Sequence, residues 1–221
     1  MANQIGNGGS VIAETDGAVR EAIGQAKEKL TLKPKLGFVF ASPRHDLRNA
    51  LEIARGLTPG CEFIGCHTAG EFTDKGLTRG GLAAMLLASD TIVFDVAWAS
   101  EMKGAHEAAA KELCARFAET TKNAQAAGLG LSTTVLLVDG LAGTGERLVK
   151  EVMQGTRMFQ QVVGGAAGDD GAFKATGVAA RGFAAPDSAV AAHIFDKAQW
   201  GVGVDHGLRP KTKRMTVTKA K

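Results

Sequence analysis

The chain has 221 residues, with 26 Lys and Arg against 23 Asp and Glu, 45% apolar residues and 22% charged ones. Those proportions exclude a disordered tail or a fibre, and the length is enough to bury a core without metals or disulfides. From residue 206 onward there are six basic residues and no acid, so the basic pI of 8.8 belongs to the end of the chain and not to its body.

The three cysteines, Cys61, Cys66 and Cys114, are an odd count. That fits a reducing compartment better than a secreted scaffold, so the expected location is the cytoplasm. The start shows no basic region followed by an apolar run, and stretches such as GGLAAMLLA reach about half a membrane span. No membrane partner is expected. No nucleic-acid partner is expected either, because the body lacks interleaved aromatic and basic residues and tyrosine is absent.

In chain order, residues 1–14 read as a flexible leader and 15–221 as a single domain. A helix is expected from Gly17 to Leu30, capped by Asp16, with Val19, Ala22, Ile23, Ala26 and Leu30 on one face. LGFVFA (36–41) reads as a buried strand. Ser42–Pro43 predicts a helix start, and the helix runs to Arg55 with Gly56 as its left-handed exit. CEFIGC (61–66) is the next strand and completes a βαβ beginning. GLAAMLLA (81–88) and TIVFDVAWA (91–99) are spaced as a tight hairpin. A helix over 104–126, the strand TTVLLVD (133–139), and a helix from Thr144 to Arg157 burying Leu148, Val152 and Met153 follow.

The last third contains short glycine-punctuated strands and no helix: 162–170, 173–182, 189–195, 199–207 and 215–220. The expected fold class is therefore α/β: a mixed β-sheet layered with helices, with βα units first and a β-meander in the C-terminal third. No internal repeat is visible.

Two glycine blocks, each following an apolar strand, are the candidate site. The first is GCHTAGE, in which Gly65 and Gly70 allow close backbone approach and His67, Thr68 and Glu71 offer polar contacts. The second is GGAAGDD, in which Gly164, Gly165, Ala167 and Gly168 offer amides and Asp169 and Asp170 carboxylates. Loops at one end of a sheet converge, so the two blocks are expected to line one pocket. Amides for a carboxylate and Asp169 for an ammonium suit an amino acid or another small amine. DGLAGTGE (139–146) reads as an ordinary βα loop. Neither GxGxxG nor GxxxxGK[ST] is present, so dinucleotide and P-loop readings fall away.

Cys61, Cys66 and His67 do not make a zinc site: on an extended strand Cys66 points away from the other two. A haem would need one axial histidine and an apolar wall. His67 is the first candidate, and no other metal is expected. The serines lack an activating context, and no G-x-S-x-G or H-E-x-x-H occurs, so the chain is not expected to be an enzyme.

GFVFAS (37–42), FIGCHTAGEF (63–72), VVGGAAGDD (162–170) and HGLRPKTKRMTVTKA (206–220), in this order and spacing, resemble the N-terminal FIST domain from about residue 33 to the C-terminus. The resemblance implies an intracellular sensory module of signal transduction, bacterial in type, that binds a small ligand such as an amino acid. Some relatives are haem proteins that sense nitric oxide, so a haem-binding nitric oxide sensor is a second reading. A non-catalytic protein-interaction scaffold is a third, and a small-molecule enzyme a fourth. The implied partners are a C-terminal FIST domain or a separate signalling kinase or cyclase. The family's G-C-S-T-A-G-E block carries His67 in place of its serine here. The G-G-x-A-G-D block is intact from Gly164 to Asp169.

Overall fold

In the computed structural model, residues 3–155 and 160–204 are described, together with Arg209, Lys211, Thr216, Thr218 and Lys219. The class is α/β, with mixed sheets covered by helices. The strands are β1 (Asn3–Ser10), β2 (Leu36–Ala41), β3 (Glu62–His67), β4 (Glu71–Thr73), β5 (Gly76–Thr78), β6 (Leu82–Ser89), β7 (Val93–Ser100), β8 (Leu131–Val138), β9 (Gln160–Ala166), β10 (Val178–Ala180), β11 (Phe183–Ala185) and β12 (Ser188–Asp196). The helices are α1 (Thr15–Glu28), α2 (Leu47–Leu57), α3 (Met102–Arg116), α4 (Ala118–Ala126) and α5 (Gly145–Gly155).

The strands form two principal sheets instead of one, in the orders β1-β6-β2-β3-β10-β11 and β7-β12-β8-β9, with β4-β5 a separate hairpin. Period-two alternation sorts the side chains into layers. On β2, Val39 and Ala41 pack under α1 and α2, while Leu36 and Phe38 face the second sheet. On β12, Val190, Ala192 and Ile194 meet the first sheet, and Ala189 and Ala191 lie under α3 and α5. The order of layers is helices, sheet, sheet, helices. Both faces of the central strands are covered, which is why they read as unbroken apolar runs.

The two sheets repeat one topology. β1-α1-β2-α2-β3-hairpin-β6 is followed by β7-α3/α4-β8-α5-β9-hairpin-β12, and both halves order their four main strands alike. The registers correspond. Ser10 opposes Leu82 as Ala99 opposes Ala189, and Ala41 opposes Leu82 as Val138 opposes Ala189. Ala41 opposes His67 as Val138 opposes Ala166. The expectation of no internal repeat is corrected: the backbone pattern is duplicated although the side chains are not.

Other expectations change. The leader contains β1, antiparallel to β6. Its polar, glycine-rich sequence hid it, yet the glycines are what let it pair there: a Cβ at Gly6 or Gly8 would overlap the α1 carbonyls of Ala26 or Ala22. Helix α1 is capped by Glu14, whose carboxylate accepts from the amides of Asp16 and Gly17, and not by Asp16. Helix α2 starts at Leu47 under the Asp46 cap, because Ser42 is held elsewhere, and the left-handed glycine beyond it is Gly60, not Gly56.

β6 and β7 are not a hairpin. Ser89 Oγ accepts from the amides of Thr91 and Ile92, and the chain turns into the other sheet. The 104–126 helix is divided at Phe117. Met153 is exposed. The C-terminal strands are shared between sheets, with β10-β11 on β3 and β12 between β7 and β8. Residues 199–204 form no strand, and the expected strand at 215–220 lies largely outside the described residues.

Candidate functional site

β2 and β3 are parallel, as are β8 and β9, so the carboxyl ends of both pairs are where ligand crevices form in such sheets. Here the two glycine blocks meet. The Gly168 amide donates to the His67 carbonyl at 2.9 Å, and the Asp170 amide to the Thr68 carbonyl at 3.0 Å. The Thr68 amide donates to Ala41 O, and the Ala167 amide to Val138 O, at corresponding places in the two halves.

The blocks touch, and residues of each line different cavities. Thr68, Gly70 and Glu71 line a cavity of about 440 Å³ with Asn7, Phe40, Phe72 and Met85. Gly164 and Gly165 belong to β9 and line a different groove, of about 340 Å³, beside α5. His67 lines a third, of about 580 Å³, with Arg44, Arg48 and Thr176. Gly65 lies within β3, between β2 and β10.

The expected amine partner, Asp169, is already occupied. Its Oδ1 accepts from the Phe173 amide at 2.8 Å, and its Oδ2 accepts from the amides of Lys174 and Ala175 at 2.6 and 3.1 Å. These donors, the Lys174 amide foremost, hold its carboxyl below the usual range. The amides of Ala167 and Gly168 are likewise taken. Asp169 and its amides build a loop and do not form an open nest. Asp170, left-handed at φ 54°, accepts from Ser42 Oγ at 2.6 Å. Asp139 accepts from the amides of Leu141 and Asp187 and from Thr176 Oγ1, as the ordinary-loop reading of 139–146 requires.

Glu71 differs. It is 2% exposed, yet its carboxylate meets only two neutral donors: Thr68 Oγ1 at 2.5 Å and the Gly81 amide at 2.8 Å. Among the described residues it has no ion pair. The remainder of its cavity is mostly apolar, with Phe40 and Met85 from the sheet and the 78%-exposed Phe72 at the mouth. Sequence reading missed Asn7, Phe40, Phe72 and Met85. Only Phe72, next to Glu71, carried a hint.

Three of the histidines are engaged within the fold. His67 Nε2 lies 3.4 Å from the His45 carbonyl, and its Nδ1 packs over Gly177. His45 is buried between Thr15 and Arg44. His193 is fully buried, with Nδ1 2.7 Å from Thr134 Oγ1 and its ring against Phe117 and Phe195. Burial lowers the pKa of all three. His206 lies outside the described residues. No group of three or more metal-ligating side chains occurs among the described residues, and no helix among them is long and apolar enough to cross a membrane.

Comparison with curated proteins gives no match. Among solved structures, the chain is similar to a cyanuric acid hydrolase from A. caulinodans at TM-score 0.40 and 9% identity, over 89% of this chain and 72% of that one. That likeness is too distant to carry fold or chemistry across. The family model of the FIST N domain matches residues 35–221, from β2 onward, and includes both glycine blocks. The chain therefore belongs to the FIST N domain family.

Proposed function

We propose that this FIST N domain is an intracellular, non-catalytic sensory module. Its ligand is a small primary amine with an apolar body, such as an apolar amino acid, bound in the cavity of about 440 Å³. The carrying observation is Glu71: a buried carboxylate, lining a mostly apolar cavity, with two neutral donors and no ion pair among the described residues, whereas Asp74, the other carboxylate of the lining, is paired with Lys29. A buried charge is costly unless paired, and each carboxylate oxygen keeps a lone pair for a further donor. An ammonium placed there completes the pair, while Phe40, Met85 and Phe72 take the apolar body. Apolar walls with a few convergent polar groups are the usual make-up of a small-molecule site. The non-catalytic reading is supported by Ser42, which is fully buried and committed to Asp170. A signalling kinase, a cyclase or a C-terminal FIST domain is the reader we propose for the bound state.

The test is calorimetric titration with leucine, phenylalanine, 3-methylbutylamine and 2-phenylethylamine, and with the matching acids that lack the amine. The amines should bind and the acids should not. Glu71→Gln should weaken binding by about 1.5–3 kcal/mol, the scale of a hydrogen bond to a charged group. Phe72→Ala, at an exposed position that cannot unfold the core, should weaken it too. Absence of binding by every compound, or equal affinity for amines and acids, would reject the proposal.

A further inference from the structure

The duplicated topology leaves one contact made once and missing once. In the second half, hairpin β10-β11 does not stay with its own sheet but pairs antiparallel with the outer edge of β3 in the first half, Val178 opposite Cys66, Ala179 opposite Gly65 and Ala180 opposite Ile64. In the first half the equivalent hairpin, β4-β5, pairs with no other strand among the described residues. The edge equivalent to β3 is β9, and its outer side is likewise unpaired among the described residues. Among the described residues, one unpaired donor and one unpaired acceptor therefore sit on the same chain, each the counterpart of a partner in a contact already present.

We infer that a second copy of this chain docks head to tail, its β4-β5 hairpin adding to the β9 edge. The register follows from the internal example: Glu71 opposite Gly165, Phe72 opposite Gly164 and Thr73 opposite Val163 of the other copy.

Three independent features fit. Phe72 and Leu77 are cross-strand partners on one face of the hairpin and are 78% and 67% exposed, which is unusual for such side chains. Their equivalents, Ala179 and Ala184, pack into the core beneath α2. The helix equivalent to α2 is α5, and beside α5 and β9 lies the apolar groove of about 340 Å³, lined by Val149, Val162 and Gly164 and, from the chain's own later segment, by Val202 and the 91%-exposed Val204. The strand residue facing the hairpin is glycine in both halves, Gly65 in the pair that is made and Gly164 in the one that is missing. An open strand edge and a hairpin with its apolar face in water are both surfaces that proteins ordinarily cover. Backbone pairing with alternate side chains in pockets is a standard mode of association.

A head-to-tail contact uses different surfaces on the two copies, and that makes it testable by complementation. Light scattering on the intact chain from about 5 to about 500 µM, a range that brackets a micromolar affinity, should show mass rising with concentration. Phe72→Asp removes the donor and Val149→Glu the acceptor, so each variant alone should stay monomeric. Mixed in equal amounts they should form a discrete dimer, because each retains the surface the other lacks. Leu77→Lys serves as a second donor variant if melting shows Phe72→Asp to be misfolded. A native chain that is monomeric throughout, association unaffected by these changes, or variants that fail to complement would each overturn the inference.

Discussion

The carbonyl of His67 accepts the amide of Gly168 at 2.9 Å, joining the end of β3 in one sheet to the loop after β9 in the other. With the Asp170–Thr68 bond beside it, this ties the carboxyl ends of the two parallel strand pairs together. Position 168 must be glycine: a Cβ there would fall 2.8 Å from the Ala69 amide nitrogen, which is backbone and cannot yield. Gly168→Val should therefore destabilise the fold by about 1–3 kcal/mol, the usual cost of overpacking. In urea unfolding the midpoint should fall with the slope unchanged. An unchanged midpoint would show that the two loops are not held together here.

Asp169→Asn tests whether this carboxylate is structural. Its three backbone donors need acceptors on both oxygens, and an amide group offers only one. Melting temperature should fall, and amides 173–175 should exchange faster. Amine affinity should stay as in the native protein. A loss of affinity without loss of stability would return Asp169 to the ligand site.

His193 should make the fold acid-sensitive. Burial lowers its pKa from 6.5 to about 4, with the nearby Asp95 opposing weakly. The native state holds it neutral while the unfolded state binds a proton below 6.5. Its stabilising contribution is therefore complete above about pH 6.5 and is lost as pH falls toward about 4, on the order of 3 kcal/mol in all. Unfolding free energy should slope upward with pH across that window. The slope should flatten in His193→Gln, to the extent that this variant folds.

Cys61 and Cys66 should be chemically silent in the native protein. Burial pushes both thiols up to about 12, so almost no thiolate exists at about pH 8. Alkylation followed by mass spectrometry should modify both only after denaturation. Rapid native modification at either would show that the β3 layer opens.

Much of the fold was legible in the residues because local rules decide it. The apolar runs read at 36–41, 61–66 and 133–139 and the face of α1 follow from periodicity and burial, and the two glycine blocks stood out by composition. Partner choice did not, because it depends on residues far apart in the chain. β6 and β7, adjacent in sequence, enter different sheets, and polar β1 becomes a strand only because α1 packs against its glycines. The same holds at the site. Glu71, Thr68 and Gly70 could be named from their motif, but whether a carboxylate is spare or spent depends on which donors the tertiary structure brings to it. Asp169 receives three amides from its own loop, while Glu71, which lines a mostly apolar cavity, has two neutral donors. The duplication was hidden for a related reason: strand order and register are properties of the backbone, and unlike side chains satisfy the same hydrogen-bond ladder in each half.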